Sequence, residues 1–398
     1  MISFVLPTRE RPGARARTLR SLGGRDPERY ACLGGGEVIV VDNGGDANVP
    51  YRLSNGFGVR LIRERENVGT AARNTGARSA VGAWLVMLDD DSEPVEAEGG
   101  GAGPEQHGLV DVVMDAPADV AAIGAEIFLP SSLHGDGPLA GRPRREAGGR
   151  PEVFVGCGAL IRRDVFLEVG GYDAGFGYYA EEYDLCARLL LGGWRVTHDR
   201  RFRVAHHKVE HGRDMDRIVR MLVRNGGWVA ARYTPESRRE EAVRGVMDRC
   251  AFIAEKEGAL AGYERGVREL EASLDAQVRT PMTVAQHDRF TGLAAARRAV
   301  ALHRERGTLG DTARLVDAGK HAWCVRTALQ EAGVAVIDDG DARVGGNAGA
   351  DVPGVVGTLS PGPMWDALDI GAASGETVLA PWISDGSEAE CGSGRVRV

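Results

Sequence analysis

Lysine is nearly missing from this chain of 398 residues: Lys208, Lys256 and Lys320 are the only three, so almost all positive charge is arginine. A GC-rich coding sequence produces that bias, together with the surplus of alanine and glycine, and it names no function. A basic excess is missing too. The formal charge of −8 argues against a general nucleic-acid binder, which needs a basic face to neutralise phosphates. Paired cysteine motifs are absent: Cys32, Cys157, Cys186, Cys250, Cys324 and Cys391 lie far apart, without CxxC or Cys/His spacing. Neither a zinc site nor a disulfide framework is expected, and free thiols in a reducing cytosol fit the pattern. No run approaches the ~20 apolar residues of a membrane span. The N-terminal MISFVLPTRERP lacks the basic start and long apolar stretch of a signal peptide. A soluble, cytoplasmic protein is expected.

What is present is ordinary for a globular chain, 43% apolar and 27% charged, and long enough for two or three units. The first half alternates short β-type runs with helical stretches. Strands are expected at Ile2–Leu6, Glu37–Val41, Val59–Ile62 and Ala83–Leu88, with helices over Arg15–Leu22 and Thr70–Ser79. EVIVV and AWLVML are continuous apolar runs, as in buried parallel strands. Strands separated by helices imply an α/β class and a doubly wound parallel sheet with ligands at the strands' carboxyl ends. Further strands are expected at Val120–Leu129, Phe154–Ile161, Arg195–His198 and Val204–His207, and helices at Asp164–Val169 and Ala180–Leu191. Two polar, Gly-rich stretches, 92–108 and 130–151, read as loops, and loops over a rigid sheet carry acceptor choice. From Arg213 the texture becomes helical, over Met215–Tyr233, Glu236–Asp275, Met282–Arg306 and Asp311–Ala332, before strand-like Val334–Ile337 and Thr377–Leu379. Three parts follow: 1–212, a helical segment 213–306, and a small C-terminal α/β region 307–398 of unassigned role. The tail past Ser384 reads as frayed.

Chemistry concentrates at the ends of the early strands. Asp89, Asp90 and Asp91 follow a buried strand directly. Adjacent carboxylates repel by about 1 kcal/mol or more per pair outside bulk water, and a hard divalent cation relieves that cost. In an extended segment Asp89 and Asp91 point the same way and can converge on one ion. A solvated acidic turn is the plain alternative. Asp42, after EVIVV, can accept from a base imide or a ribose hydroxyl, or it can serve a Gly-rich turn. Pro7-Thr8-Arg9 ends the first strand at the same edge. Arg73, on the helix after Asn67-Val68-Gly69, can fork onto diphosphate oxygens. Glu181, Glu182 and Asp184 open a helix, where the helix dipole alone favours acids. A carboxylate there could also take the proton of an attacking hydroxyl. His206-His207 stands at a strand end, where a neutral imidazole can ligate a metal or a phosphate.

Taken together, PTRERP, VIVVDN, ENVGTAARNTGAR, WLVMLDDD, VGCGALIRRDVFLEVGGYDAGF, YAEEYDLCARLLLGGWRV and RVAHH, in this order, strongly resemble family 2 glycosyltransferases. The resemblance covers about residues 1–212. It implies a GT-A, Rossmann-like nucleotide-sugar-binding sheet and a divalent metal, Mn²⁺ or Mg²⁺. It further implies donor contacts from Pro7, Thr8, Arg9, Asp42, Asn67, Arg73, Asp89 and Asp90, and metal ligands from Asp89, Asp91 and His206, with His207 beside it. Among Glu181, Glu182 and Asp184 it implies a catalytic base. Glu-Glu stands where the family has Glu-Asp, so Glu182 is favoured and Asp184 is the alternative. RNGGWVAARYTP resembles the helix that follows catalysis in some bacterial rhamnosyltransferases.

The expected activity is therefore metal-dependent transfer of a sugar from a nucleotide-diphosphate donor to a hydroxyl, with inversion. The acceptor classes are a glycan, a lipid-linked sugar or a small natural product. A homo-oligomer could form through the 213–306 helices. A nucleotidyltransferase would need a Gly-rich, Lys- or Arg-bearing loop after the first strand, where PTRERPGAR has no lysine. A non-catalytic nucleotide-sugar binder is the remaining alternative, and the intact acidic residues argue against it.

Overall fold

The computed structural model describes residues 1–95, 108–208, 214–338 and 352–383. Most of the expected 92–108 loop, and the tail past Ser384, lie outside them, but Ser92–Val95 is a strand. In chain order the first elements are β1 (Ile2–Thr8), α1 (Pro12–Gly23), β2 (Gly36–Asn43), β3 (Gly58–Glu64), α2 (Ala72–Ser79), β4 (Trp84–Leu88) and β5 (Ser92–Val95). There follow α3 (Leu109–Asp115), β6 (Val120–Leu133), β7 (Pro143–Arg145), β8 (Gly158–Arg162), α4 (Arg163–Glu168), α5 (Glu181–Leu191) and β9 (Arg195–His206). The helices α6 (Met215–Tyr233), α7 (Arg239–Glu257), α8 (Leu260–Ser273), α9 (Val284–Thr291) and α10 (Leu293–Glu305) come next. Last are β10 (Thr312–Val316), α11 (Ala322–Glu331), β11 (Ala335–Asp338), β12 (Gly354–Val356), α12 (Pro361–Ser374) and β13 (Val378–Leu379).

Contacts gather the chain into two compact units: Met1–Glu93 with Ala159–Arg195 and Lys208–His287, and Pro94–Gly158 with Val196–His207 and Asp288–Val398. That division does not follow cuts at 212 and 306. The helices α6 to α8 join the N-terminal strands, and the C-terminal region joins the chain's middle.

In the first unit β3-β2-β1-β4-β8 are neighbours in that order, and β3, β2, β1 and β4 run parallel. The apolar runs cause this: Val38, Ile39, Val40 and Val41 are fully buried, as are Leu85 to Leu88, which requires cover on both faces. The register pairs Thr8 with Asp42 and Val5 with Met87. Thr8, Asp42 and the residues after Leu88 thus share one rim, where the strand order reverses direction about β1. The helices α6, α7 and α8 enclose a core including Val219, Val223, Val246, Cys250 and Leu270. The expected helix over 236–275 is two, because Gly258 turns left-handed at φ +67°; Gly292, at φ +90°, divides 282–306 likewise.

In the second unit β6 and β9 are neighbours and β7 lies antiparallel to β6. The strand β9 is continuous where two were expected, since Val196, His198, Phe202 and Val204 are all buried with the period of two a strand requires. The expected loop 130–151 holds β7 and a half-buried Arg145, whose guanidinium reaches Glu126 (2.8 Å), Asp366 (2.6 Å) and Asp369 (2.6 Å). A second, all-parallel sheet runs β11-β10-β12-β13 around Leu315, Val325, Val355 and Trp365. Residues 311–332, expected as one helix, are β10 followed by α11.

The helices α6 and α8 approach at backbone distance. A Cβ on Gly262 would strike the Asp216 backbone, and one on Gly266 would stand 2.7 Å from the Arg220 carbonyl. Gly262→Ala is therefore expected to destabilise the protein by about 1–3 kcal/mol, read from urea unfolding midpoints. An unchanged midpoint would contradict the packing.

Candidate functional site

The acidic triplet is not extended. Ser92 donates its N–H to the Asp89 carbonyl at 3.1 Å and its Oγ accepts the Asp89 N–H at 2.7 Å, closing a turn. The expected extended stretch is therefore a turn, and the three carboxylates take different partners. Asp90 accepts from Thr8 Oγ1 (2.8 Å) and Arg11 Nη1 (2.7 Å), while Asp91 accepts from Arg11 Nη2. Asp89 pairs with Arg73. Side-chain exposure separates them, 38% for Asp89 against 4% and 7% for Asp90 and Asp91. Burial pushes the Asp90 carboxyl up to about 6, against the opposing pull of Arg11 and Thr8. Two guanidinium groups thus hold the charge of three carboxylates, one of which faces outward.

The next strand end is a folded turn. Asp42 is fully buried, and its oxygens accept from Gly45 N (3.1 Å) and Ala47 N (2.8 Å). The carboxylate shapes the 43–47 segment and offers no exposed edge to a ligand. Asn67 Oδ1 accepts from Asn43 Nδ2 (3.0 Å), Gly69 N (2.9 Å) and Tyr178 Oη (3.1 Å), which pins the 67–69 bend. Arg9 is exposed at the rim, and Pro7 is half-buried within β1. Arg73 is buried and its guanidinium stands 6.0 Å over the Tyr172 ring.

Glu181 and Glu182 open α5 behind two residues in left-handed backbone, Tyr179 at φ +69° and Ala180 at φ +63°. Such conformations cost about 1–2 kcal/mol each. Asn225 on α6 offsets that strain: its fully buried Nδ2 lies 2.8–3.0 Å from the carbonyls of Phe176, Tyr178 and Tyr179. Burial raises both glutamate carboxyls, Glu181 well above the ordinary range. The two act on each other: Glu182 raises Glu181, and a hydrogen bond from Glu181 holds Glu182 lower. Glu181 is thus displaced further upward than Glu182. One Oε2 of each is buried without a hydrogen bond. Arg73 lowers both, and Asp89 raises Glu182, so the electrostatics of the acidic turn and of α5 are joined through Arg73.

Asp184, one turn on, is fully buried and committed elsewhere. It accepts from Arg188 (2.7 Å), Arg232 (2.8 Å) and Tyr233 Oη (2.7 Å), and a carboxylate so enclosed meets no substrate. In the second unit, His206 Nδ1 lies 3.0 Å from Glu146 Oε2 and 3.6 Å from Cys157 Sγ. His207, half-buried, follows the end of β9. Arg11, Asn225, Arg232 and Tyr233 carry the site's internal bonding, and the sequence reading singled out none of them. Their partners lie tens of residues away, and only the acid-rich character of 89–91 and 181–184 hinted that arginines must meet them.

A parallel sheet whose central strand ends join Thr8, Asp42 and an arginine-held acidic triplet is an α/β sheet of the doubly wound, Rossmann-like class. Residues 3–98 match the Glycosyl transferase family 2 model. The chain is 31% identical over 208 residues to a glucosyl-dolichyl phosphate glucuronosyltransferase of Haloferax volcanii, covering 46% of this chain and 62% of that one. It is 26% identical over 212 residues to an N-acetylglucosaminyl-diphospho-decaprenol L-rhamnosyltransferase of Mycobacterium tuberculosis, covering 44% and 68%. An uncharacterized glycosyltransferase of Haemophilus influenzae is likewise spanned over 62% of its length. Among solved structures, the mannosyltransferase PcManGT from Pyrobaculum calidifontis, in complex with GDP-Man and Mn²⁺, superposes with a TM-score of 0.44 at 17% identity, over 83% of this chain and 85% of that one. No helix of the described residues is long and apolar enough to cross a membrane.

Asp184→Asn removes one partner of a buried ionic cluster, a change that costs about 3–5 kcal/mol. A fall of that size in unfolding free energy is expected, and an Asp184→Asn protein as stable as wild type would show the cluster to be idle.

Proposed function

We propose that the protein transfers a sugar from a nucleotide-diphosphate donor to an acceptor hydroxyl by direct displacement, with inversion. The observation that carries this reading is the Glu181–Glu182 pair, Glu181 buried and Glu182 half-buried, linked through Arg73 to the outward carboxylate of Asp89. Glu182 takes the proton of the acceptor hydroxyl as its oxygen bonds to the anomeric carbon and the nucleoside diphosphate departs. Glu181 keeps its proton and orients Glu182. Thr8, Arg9 and Arg73 line the donor's side of the rim, and Asp42 acts through the 43–47 turn it holds. The hard oxygens of the triplet suit Mg²⁺ or Mn²⁺. Asp89, outward and held by one arginine, is the carboxylate that fits such an ion, with Asp91 as second ligand where Arg11 gives way. When bound, the ion offsets the charge that gathers on the departing diphosphate. The relatives' names contain dolichyl phosphate and diphospho-decaprenol, which favours a lipid-linked sugar over the other acceptor classes.

A thermal-shift screen of nucleoside diphosphates and their sugars, with and without Mn²⁺, identifies the donor by mass action. With it in hand, Glu182→Gln is expected to cut turnover by about 10²–10⁴-fold while donor affinity holds; undiminished transfer would end the one-base mechanism. Because burial raises the pair, Glu182 loses its proton above the ordinary carboxylate range, so kcat/KM is expected to rise with pH along a limb displaced upward. A limb at the pH of a solvated glutamate would contradict the assignment. Asp42→Ala, which frees the Gly45 and Ala47 N–H groups, is expected to weaken donor binding by about 1–3 kcal/mol. Unchanged dissociation constants would place the nucleotide elsewhere.

A further inference from the structure

The first unit contains a cavity of about 300 Å³ between α1 and residues 48–54, lined by Arg15, Arg20, Arg52, Asn48 and Ser54 among others. No acidic side chain lines it. Arg15 is the anomaly. Its side chain is buried to 8% residual exposure, yet its guanidinium donates one long hydrogen bond, 3.4 Å to the Asn48 carbonyl. Among the described residues the other two buried arginines reach a partner, Arg73 the Asp89 carboxylate and Arg150 the face of Phe290. Among the described residues no carboxylate lies within ion-pairing distance of Arg15.

A buried guanidinium has five N–H donors and a desolvation cost that a single weak bond does not offset. Here the unused donors border open volume. Arg20 and Arg52 are exposed at the same wall, so up to three positive charges face one cavity. A single carboxylate would leave the group overcharged, whereas a phosphate carries up to two negative charges and several acceptor oxygens suited to arginine forks. Leu19, Leu53, Pro12 and Pro50 give the cavity apolar walls, and Asn48 and Ser54 add neutral polar groups.

We propose that this cavity is a binding site for a phosphate ester, with Arg15 as its buried anchor and Arg20 and Arg52 as outer contacts. None of its lining residues is among the proposed donor contacts, so the site stands whether or not the transfer reaction does. The phosphate could belong to a soluble ester or to a lipid headgroup, and the chemistry of recognition is the same.

The test uses the full chain with pyrophosphate as soluble probe, by calorimetry at fixed ionic strength. Phosphatidylglycerol vesicles are the lipid probe, with phosphatidylcholine as control. Arg15→Met is expected to weaken pyrophosphate or anionic-vesicle binding by about 10- to 100-fold, as loss of a charge-assisted bond implies. The same variant, without ligand, is expected to melt at or above the wild-type temperature, because an uncompensated buried charge has been replaced by an apolar chain. An arginine that merely holds the fold would give the opposite shift. Should Arg15→Met fold poorly, the exposed pair Arg20→Gln with Arg52→Gln decides, and weakened binding there upholds the site. Arg15-dependent binding of pyrophosphate alone assigns a soluble ester; Arg15-dependent binding of the vesicles assigns a headgroup. If neither probe binds, or if binding is indifferent to Arg15→Met and to the paired glutamine variant, the proposal is overturned.

Discussion

The carboxylate of Asp184 is the joint on which the acidic site depends. It lies inside the protein, bound by Arg188 of its own helix and by Arg232 and Tyr233 of α6. Arg232 also reaches Asp173, 2.8 Å away, in the segment that leads into α5. One buried anion therefore fixes the rotation of α5, and with it the direction in which Glu181 and Glu182 point. Asn225 works from the same helix on the same approach, holding the left-handed residues that would otherwise relax. Position is set by α6, and chemistry is presented by α5.

Charge at the rim is managed with guanidinium groups. Arg11 bridges Asp90 and Asp91, and Arg73 serves Asp89 while lowering the two glutamates. Arginine suits this duty because it stays charged when buried and binds carboxylates with a planar fork. The arrangement offsets part of the charge of three aspartates at one strand end, and it leaves Asp89 as the negative group that faces outward. A lysine-poor composition, which first looked like a coding bias, thus supplies the side chain the site needs.

The strands of the parallel sheet were legible in the sequence because EVIVV and WLVML are apolar without interruption, and only burial on both faces explains such runs. Met215–Tyr233 was legible for its apolar spacing. The breaks at Gly258 and Gly292 were not, since apolar residues recur at helical spacing on both sides of each. The strand Gly354–Val356 is three residues long, and α12 begins Pro-Gly-Pro, which reads as a turn. In the site, the residue types were legible and their duties were not. Asp42, Asp90 and Asp184 look like ligands in the sequence, yet each is buried and bonded to groups between 3 and 82 residues away. A chain pattern shows that an acid is present, and only the fold shows whether it is already occupied.

The close approach of α6 and α8 carries a consequence for how this unit can vary. Gly262 and Gly266 stand one helical turn apart and meet Asp216 and Arg220, which are also four residues apart. The two helices are thus engaged like racks with matched teeth, and a residue inserted or deleted between the glycines would rotate one tooth by ~100° and put a side chain where none fits. Length changes are confined to the Gly258–Ala259 turn or beyond Ser273. Since α6 bears Asn225, Arg232 and Tyr233, indels in a helix remote in sequence from the acidic residues would be filtered as strictly as changes beside them.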